Sequence, residues 1–247
     1  MKVLVVGDIH GNFNRVLAEV KRRMYNFDYV VFLGDYVDSF DPNQNGYPMI
    51  NGFNKMMEMK KNTKKPIIIT LMGNHDLSYL SDDRVSGHRY DFAEQYKKMF
   101  LDNLDDLDIC VQLGDYVFSH AGVSKNWVAL WNIPDPSDVF LEVSGISRED
   151  YKKMSLVEQI NFIFHKKQFF LFDYYEKDYS MIGNSPKQGP LWIRPNALWD
   201  NMAFDKQVVG HTELKPEMCP FTFTDNENKK LIVLDSPTHF NFLELEI

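Results

Sequence analysis

Five short segments of this chain carry side chains able to bind metal. Gly7-Asp8-Ile9-His10-Gly11 sets a carboxylate and an imidazole two positions apart, and Gly34-Asp35-Tyr36-Val37-Asp38 supplies two more carboxylates. Gly73-Asn74-His75-Asp76, Ser119-His120-Ala121-Gly122 and Gly210-His211-Thr212 each add an amide or an imidazole. Asp, Asn and His suit hard to borderline divalent cations, and the lack of thiolates in these segments disfavours a soft-metal or structural zinc site. A carboxylate shared by two cations neutralises both and holds them about 4 Å apart, where a shared water becomes hydroxide and attacks phosphorus in line. Any one segment alone reads as an ordinary turn with a hydrogen-bonded His; the ordered recurrence of five argues for a metal centre.

Each segment follows a strand. Val3 to Val6 is a continuous run of β-branched residues and Leu that stops at Gly7-Asp8, as expected of a strand buried on both faces. A helix capped by Asn12 or Asn14 follows, with Phe13, Val16, Leu17, Val20 and Met24 at helical spacing. Tyr29 to Leu33, a helix around Met49 to Lys61, and Ile67 to Met72 repeat the unit. Tyr116 to Ser119 and Gln207 to Val209 are further strands ending at His120 and at Gly210-His211. Such crossovers imply parallel pairing, and ligands in open α/β sheets bind beyond the carboxyl ends of the strands. Leu231 to Asp235 and Phe240 to Ile247 read as a terminal antiparallel hairpin.

The sequence therefore predicts an α/β fold in which mixed β-sheets flanked by helices form one domain over residues 1–247. The stretch from about 124 to 200, helical from about Arg148 to Asp173 and rich in Phe, reads as a cap-like insertion. The strand pattern resumes after it with the same kind of site residue.

Composition narrows the partners. Twenty-seven Lys plus Arg against 35 Asp plus Glu give a net charge of −8 and a pI near 5.4. That argues against broad adhesion to nucleic acid or to an anionic membrane. No apolar run reaches the length of a membrane helix, and the first strand is too short for a signal-peptide core. Cys110 and Cys219, 109 positions apart, exclude a disulfide scaffold or a zinc ribbon, so a reducing, cytoplasmic setting is expected.

The pattern GDxH, GDxxD, GNH[D/E], a later His and GH resembles the calcineurin-like metallophosphoesterase superfamily over nearly the whole chain. GDxHG and GDxVD look most like its phosphoprotein phosphatase branch, which includes Ser/Thr protein phosphatases, phage and bacterial relatives, and diadenosine tetraphosphate hydrolases. The resemblance implies two divalent metal ions, Mn foremost, with Fe, Zn, Mg or Ni as alternatives. Asp8 and His10 would bind the first, Asp35 would bridge, and Asn74, His120 and His211 would bind the second. His75 matches the general acid that protonates the leaving alkoxide, and Asp38 is placed to keep its imidazole charged and donating. A hydroxide bridging the metals would then attack phosphorus directly.

Two departures stand out. Ser39-Phe40 occupies the place of an Arg-Gly pair, so one bidentate phosphate clamp is missing, and Asp76 replaces the branch's usual Glu. Arg194, within Pro190-Leu191-Trp192-Ile193-Arg194-Pro195, resembles the branch's second phosphate-binding Arg. Arg84 and Arg89 are weaker candidates to supply the lost clamp. The expected substrate is a phosphorylated protein or a small phosphomonoester. A dinucleoside polyphosphate or cyclic nucleotide is the alternative, made more credible by Ser39, and a catalytically silent protein-binding scaffold is the alternative of another class.

Other features read as structural: His88, His165 and His239 as surface or satisfied histidines, and Trp127, Trp131, Trp192 and Trp199 as cap packing. Lys60-Lys61 with Lys64-Lys65 and the acidic run from Asp102 to Asp108 read as solvated surface, and both cysteines as inert.

Overall fold

Alternate residues of the first strand feed two different cores, which sets the layering. In β1 (Lys2–Val6), Val3 and Val5 join an apolar cluster with Val31, Leu33, Phe118, Val208 and Ile232, between two sheets. Leu4 and Val6 join a second cluster with Phe13, Val16, Leu17, Val20 and Phe53, under helices. The strand is thus buried on both faces, as its unbroken apolar run requires. The structure, a computed structural model, describes residues 1–39, 46–177, 183–236 and 241–247. Phe40 and His239 lie outside the described residues.

The first sheet runs β3 (Ile67–Thr70), β2 (Tyr29–Phe32), β1, β9 (Phe242–Glu246), with β1, β2 and β3 parallel and β9 antiparallel to β1. The second runs β4 (Cys110–Leu113), β5 (Tyr116–Ser119), β6 (Lys206–Val209), β8 (Lys230–Val233), β7 (Phe221–Thr224). Within it β5–β6 and β6–β8 are parallel, while β4–β5 and β7–β8 are antiparallel. Helices α1 (Phe13–Arg23) and α2 (Gly46–Asn62) link the parallel strands of the first sheet. The chain continues through α3 (Asn74–Leu77), α4 (Ala93–Asp102), α5 (Lys125–Leu130), α6 (Asp138–Ser144), α7 (Arg148–Lys153), α8 (Leu156–His165) and α9 (Pro195–Trp199). A third cluster, with Ile193, Leu198, Val209, Leu231 and Val233, packs α9 on the outer face of the second sheet.

The expected terminal hairpin does not form. β8 pairs with β7 through a turn in which Asp225 Oδ1 accepts from the amides of Glu227 and Lys229, both at 2.9 Å. β9 crosses to the other sheet with Val5 opposite Leu243. There Leu243, Leu245 and Ile247 fill the inter-sheet core, and β9 covers the β1 edge that β2 leaves open. Two smaller readings also change. Asn12 stands at the start of α1 without capping it, because its amide donates to Ile9 O at 3.0 Å, and Asn14 lies within the helix. Lys60 is half-buried, its ammonium 3.0 Å from Thr70 Oγ1 and bonded to Asp106 O.

The ends of the 124–200 stretch are pinned together: Lys125 N–H donates to Asn201 O at 2.7 Å and Ala203 N–H to Val123 O at 2.9 Å. Its longest helix docks on the edge of β4, where Asn161 Oδ1 accepts from the amides of Ile109 and Cys110 and its Nδ2 donates to Cys110 O. Trp127 is buried here with Nε1 donating to Leu171 O at 2.9 Å, and His165 Nε2 meets Leu107 O at 2.9 Å. Both are satisfied structural side chains.

Candidate active site

The six residues expected to bind metal come together at the carboxyl ends of the strands. Asp8 and His10 follow β1, Asp35 follows β2, Asn74 opens α3 after β3, His120 follows β5 and His211 follows β6. Ligand atoms of Asp8, Asp35 and His120 lie within 4.8 Å of one another, as do those of His10, Asp35 and His75, so Asp35 belongs to both groups. Asn74 Oδ1 faces His120 Nε2 at 2.9 Å and His211 Nδ1 at 3.2 Å.

The backbone is strained to achieve this. His10, Asp35, Asp38 and His211 have φ of 44°, 53°, 60° and 62°, a left-handed conformation that L-residues adopt at a cost of about 1–3 kcal/mol each. Glycines supply clearance: a Cβ on Gly73 would sit 2.0 Å from Asp35 Oδ1, and one on Gly210 would sit 2.2 Å from Asp8 Oδ1.

Outer hydrogen bonds decide which ring nitrogen each histidine turns inward. His120 Nδ1 lies 2.9 Å from Leu33 O, His10 Nδ1 3.2 Å from Val37 O, and His211 Nε2 3.2 Å from Trp192 O. A carbonyl can only accept, so each of these nitrogens carries the ring hydrogen. Burial lowers His10 to about 4, His120 to about 3 and His211 well below the usual imidazole range, so all three are neutral. Their other nitrogens are then bare lone pairs, with His10 Nε2 3.6 Å and His120 Nε2 3.4 Å from Asp35 Oδ2. Burial, then the nearby charge of Asp235 on Asp8 and of Asp8 on Asp35, raises both carboxyls well above the ordinary range. Bare imidazole nitrogens, two carboxyl groups and an amide oxygen turned toward one another are a donor set that fits divalent cations, and a bound cation would hold both carboxyls ionised.

His75 is held differently. Its Nδ1 lies 3.1 Å from Asp38 Oδ2, and its backbone N–H donates to Asp35 Oδ1 at 3.0 Å. Burial lowers the imidazole to about 4 and raises the Asp38 carboxyl to about 7. Asp76 ties the turns together by accepting from Tyr36 N–H at 2.8 Å and Gly73 N–H at 3.0 Å.

Arg194 lies at the margin, its Nη1 donating to His211 O at 2.9 Å and Thr212 Oγ1 at 3.3 Å, with the charges of Asp235, Asp8 and Asp35 acting on it. Arg84 donates to the carbonyls of Ser81 and Asp83, and Arg89 pairs with Asp91, so both guanidiniums are engaged away from the cluster. Trp192 meets the site through its carbonyl and sets its ring edge-on to His211 at 6.0 Å.

Sequence reasoning missed two neighbours. Asp235, directly after β8, is 8% exposed, accepts from Asn241 Nδ2 at 3.2 Å and is raised by burial to about 6. Its position just past a strand repeats the pattern of Asp8 and could have marked it. Tyr79, whose hydroxyl donates to Asp38 Oδ1, carries no such signal.

Comparison with known proteins agrees with this geometry. Residues 1–212 match the calcineurin-like phosphoesterase family. No curated protein matches the chain. Among solved structures, a cold-active protein-tyrosine phosphatase of the psychrophile Shewanella sp. is similar at TM-score 0.62 and 20% identity, covering 99% of this chain and 75% of that one. A second structure of a cold-active protein tyrosine phosphatase gives 0.60 and 19%, covering 99% and 73%. A Saccharomyces cerevisiae serine/threonine phosphatase gives 0.46 and 19%, covering 94% and 66%. For the two cold-active phosphatases the likeness is one of fold. The family match spans all five segments that converge here, and on that ground the chain belongs to the calcineurin-like phosphoesterases, hydrolases of phosphoesters that use divalent metal ions.

Proposed function

We propose that the protein is a dinuclear phosphomonoesterase of the Ser/Thr protein phosphatase type, a single domain with residues 124–200 as its cap. Asp8 and His10 hold one ion, Asn74, His120 and His211 hold the other, and Asp35 is shared. Manganese is the expected metal. The observation that carries this reading is the ring of neutral imidazole and carboxylate acceptors centred on Asp35.

When bound, the two cations supply a nucleophile from water at neutral pH and offset charge on the phosphoryl oxygens. The chain's own residues do the rest. Arg194 grips a phosphoryl oxygen from the margin of the cluster. His75, its Nδ1 held by Asp38, presents Nε2 to the leaving oxygen and, in its doubly protonated form, delivers the proton from there. The substrate is a phosphorylated protein or a small phosphomonoester. A nucleotide substrate is the second reading, favoured by Ser39 in the place of a clamping Arg while Arg84 and Arg89 are engaged elsewhere.

Parallel hydrolysis of p-nitrophenyl phosphate and bis(p-nitrophenyl) phosphate with Mn²⁺, by wild type and Asp35→Asn, tests the proposal. Monoester preference lost in the variant is expected. Diester preference would redirect the search to nucleotides, and no metal-dependent turnover of either ester would refute the reading.

A further inference from the structure

The Asp38 carboxylate has two oxygens and two partners. Oδ2 meets His75 Nδ1 at 3.1 Å, and Oδ1 accepts from the hydroxyl of Tyr79, 41 positions along the chain. We propose that Tyr79 is a positioning residue for the His75–Asp38 pair, fixing the carboxylate so that His75 turns its Nε2 toward the leaving oxygen. The inference rests on the phosphoesterase reading above and deepens it.

The direction of the Tyr79 hydroxyl is determined. Arg89 N–H donates to Tyr79 Oη at 2.8 Å, occupying an acceptor position, so the phenolic hydrogen points to Asp38. The ring is locked as well: it stacks on His88 at 4.3 Å, meets Tyr96 edge-on at 4.9 Å, and is 5% exposed. Asp38 needs such a tether, because its own backbone sits at φ 60° and its carboxylate is fully buried. The residue before Tyr79 fixes the backbone that carries this imidazole, since Ser78 Oγ donates to the backbone carbonyl of His75 at 2.8 Å and lies 3.2 Å from His88 Nδ1. Tyr79 and His88, the latter read from sequence as a surface or satisfied histidine, stack on the far side of Asp38 from His75.

Removing the hydroxyl leaves one oxygen of Asp38 buried without its donor and free to turn away from His75. The defect falls on proton donation, so it is felt most by a substrate whose leaving group needs the proton. The test compares wild type, Tyr79→Phe, Asp38→Asn and the double variant on phenyl phosphate, a poor leaving group, and p-nitrophenyl phosphate, a good one. Tyr79→Phe is expected to lower kcat about tenfold on the first and about twofold on the second, with KM and bound metal unchanged. Added to Asp38→Asn it should cost nothing more, because both act on one hydrogen-bonded unit. Equal losses on the two esters, or additive losses in the double variant, would overturn the assignment.

A readout independent of turnover accompanies it: the downfield proton NMR signal of His75 Nδ1–H should shift or broaden in Tyr79→Phe, and an unchanged signal would also overturn the assignment. Wild type inert toward both esters would instead overturn the phosphoesterase reading itself.

Discussion

His120 Nε2 and Asn74 Oδ1 stand 2.9 Å apart as two acceptors, since the His120 ring hydrogen sits on Nδ1, which donates to Leu33 O, and burial keeps the ring neutral. Such a contact is repulsive unless a cation lies against both atoms. The same holds around Asp35, whose Oδ2 faces the inward nitrogens of His10 and His120. Substitutions here should therefore separate stability from metal binding.

Asp35→Asn removes one of two mutually repelling buried carboxyls while leaving an oxygen to accept from His75 N–H. The chelator-treated variant should be more stable than chelator-treated wild type by about 1–2 kcal/mol. It should lose the stabilisation that Mn²⁺ gives wild type, about 2.7 kcal/mol at a hundredfold excess over Kd. Thermal melts with and without Mn²⁺ check both; a variant less stable in chelator and still stabilised by Mn²⁺ would contradict the account.

The pH dependence of the chelated protein follows from two opposing sets. Burial raises Asp38 and Asp76 to about 7 and Asp235 to about 6 from 3.8. The folded state thus keeps protons that the unfolded chain releases, and this contribution is full below about 4 and lost as pH rises through 7. Burial lowers His10 and His75 to about 4 and His120 to about 3 from 6.5, so their contribution grows as pH climbs toward 6.5 and then is complete. Above 6.5 only the carboxyls still titrate, and Tm should fall from there to about pH 8. Calorimetry showing a flat or rising Tm across that interval would count against the buried carboxyls.

Gly73 has an ordinary extended backbone, so Gly73→Ala adds no φ strain and tests sterics alone. The new Cβ, 2.0 Å from Asp35 Oδ1 and 2.4 Å from the Asp35 backbone nitrogen, must displace that carboxylate and the backbone that carries it. Denaturant unfolding should show a loss of about 1–3 kcal/mol, and Mn²⁺ affinity should drop at least tenfold by titration calorimetry. Unchanged affinity would mean that Asp35 is not a ligand.

Arg194→Lys keeps the charge and loses the planar fork. A fall of about tenfold in kcat/KM for p-nitrophenyl phosphate, with two ions still bound, is expected; an unchanged kcat/KM would remove Arg194 from the substrate site.

What the sequence made readable was local. The strand ends at Gly7, Gly34 and Gly73 and the residues after them could be placed because β-branched runs and glycine breaks are written in consecutive positions. The partner of β9 could not, since Phe242–Glu246 alternates in a way that suits β8 or β1 equally, and only the inter-sheet core needing Leu243 and Leu245 decides. Tyr79 escaped for the same reason: its bond to Asp38 joins residues 41 positions apart and leaves no periodic trace. Asp76 was visible as a motif position, but its task of holding the Tyr36 and Gly73 amides emerges only when the two turns meet.

The central claim is that one carboxylate, Asp35, holds two divalent ions among these six side chains. Anomalous scattering from Mn²⁺-soaked crystals tests it most directly. The account predicts two peaks, both in contact with Asp35, one beside Asp8 and His10 and the other beside Asn74, His120 and His211. A single peak, a pair that leaves Asp35 untouched, or no peak in this pocket would contradict it.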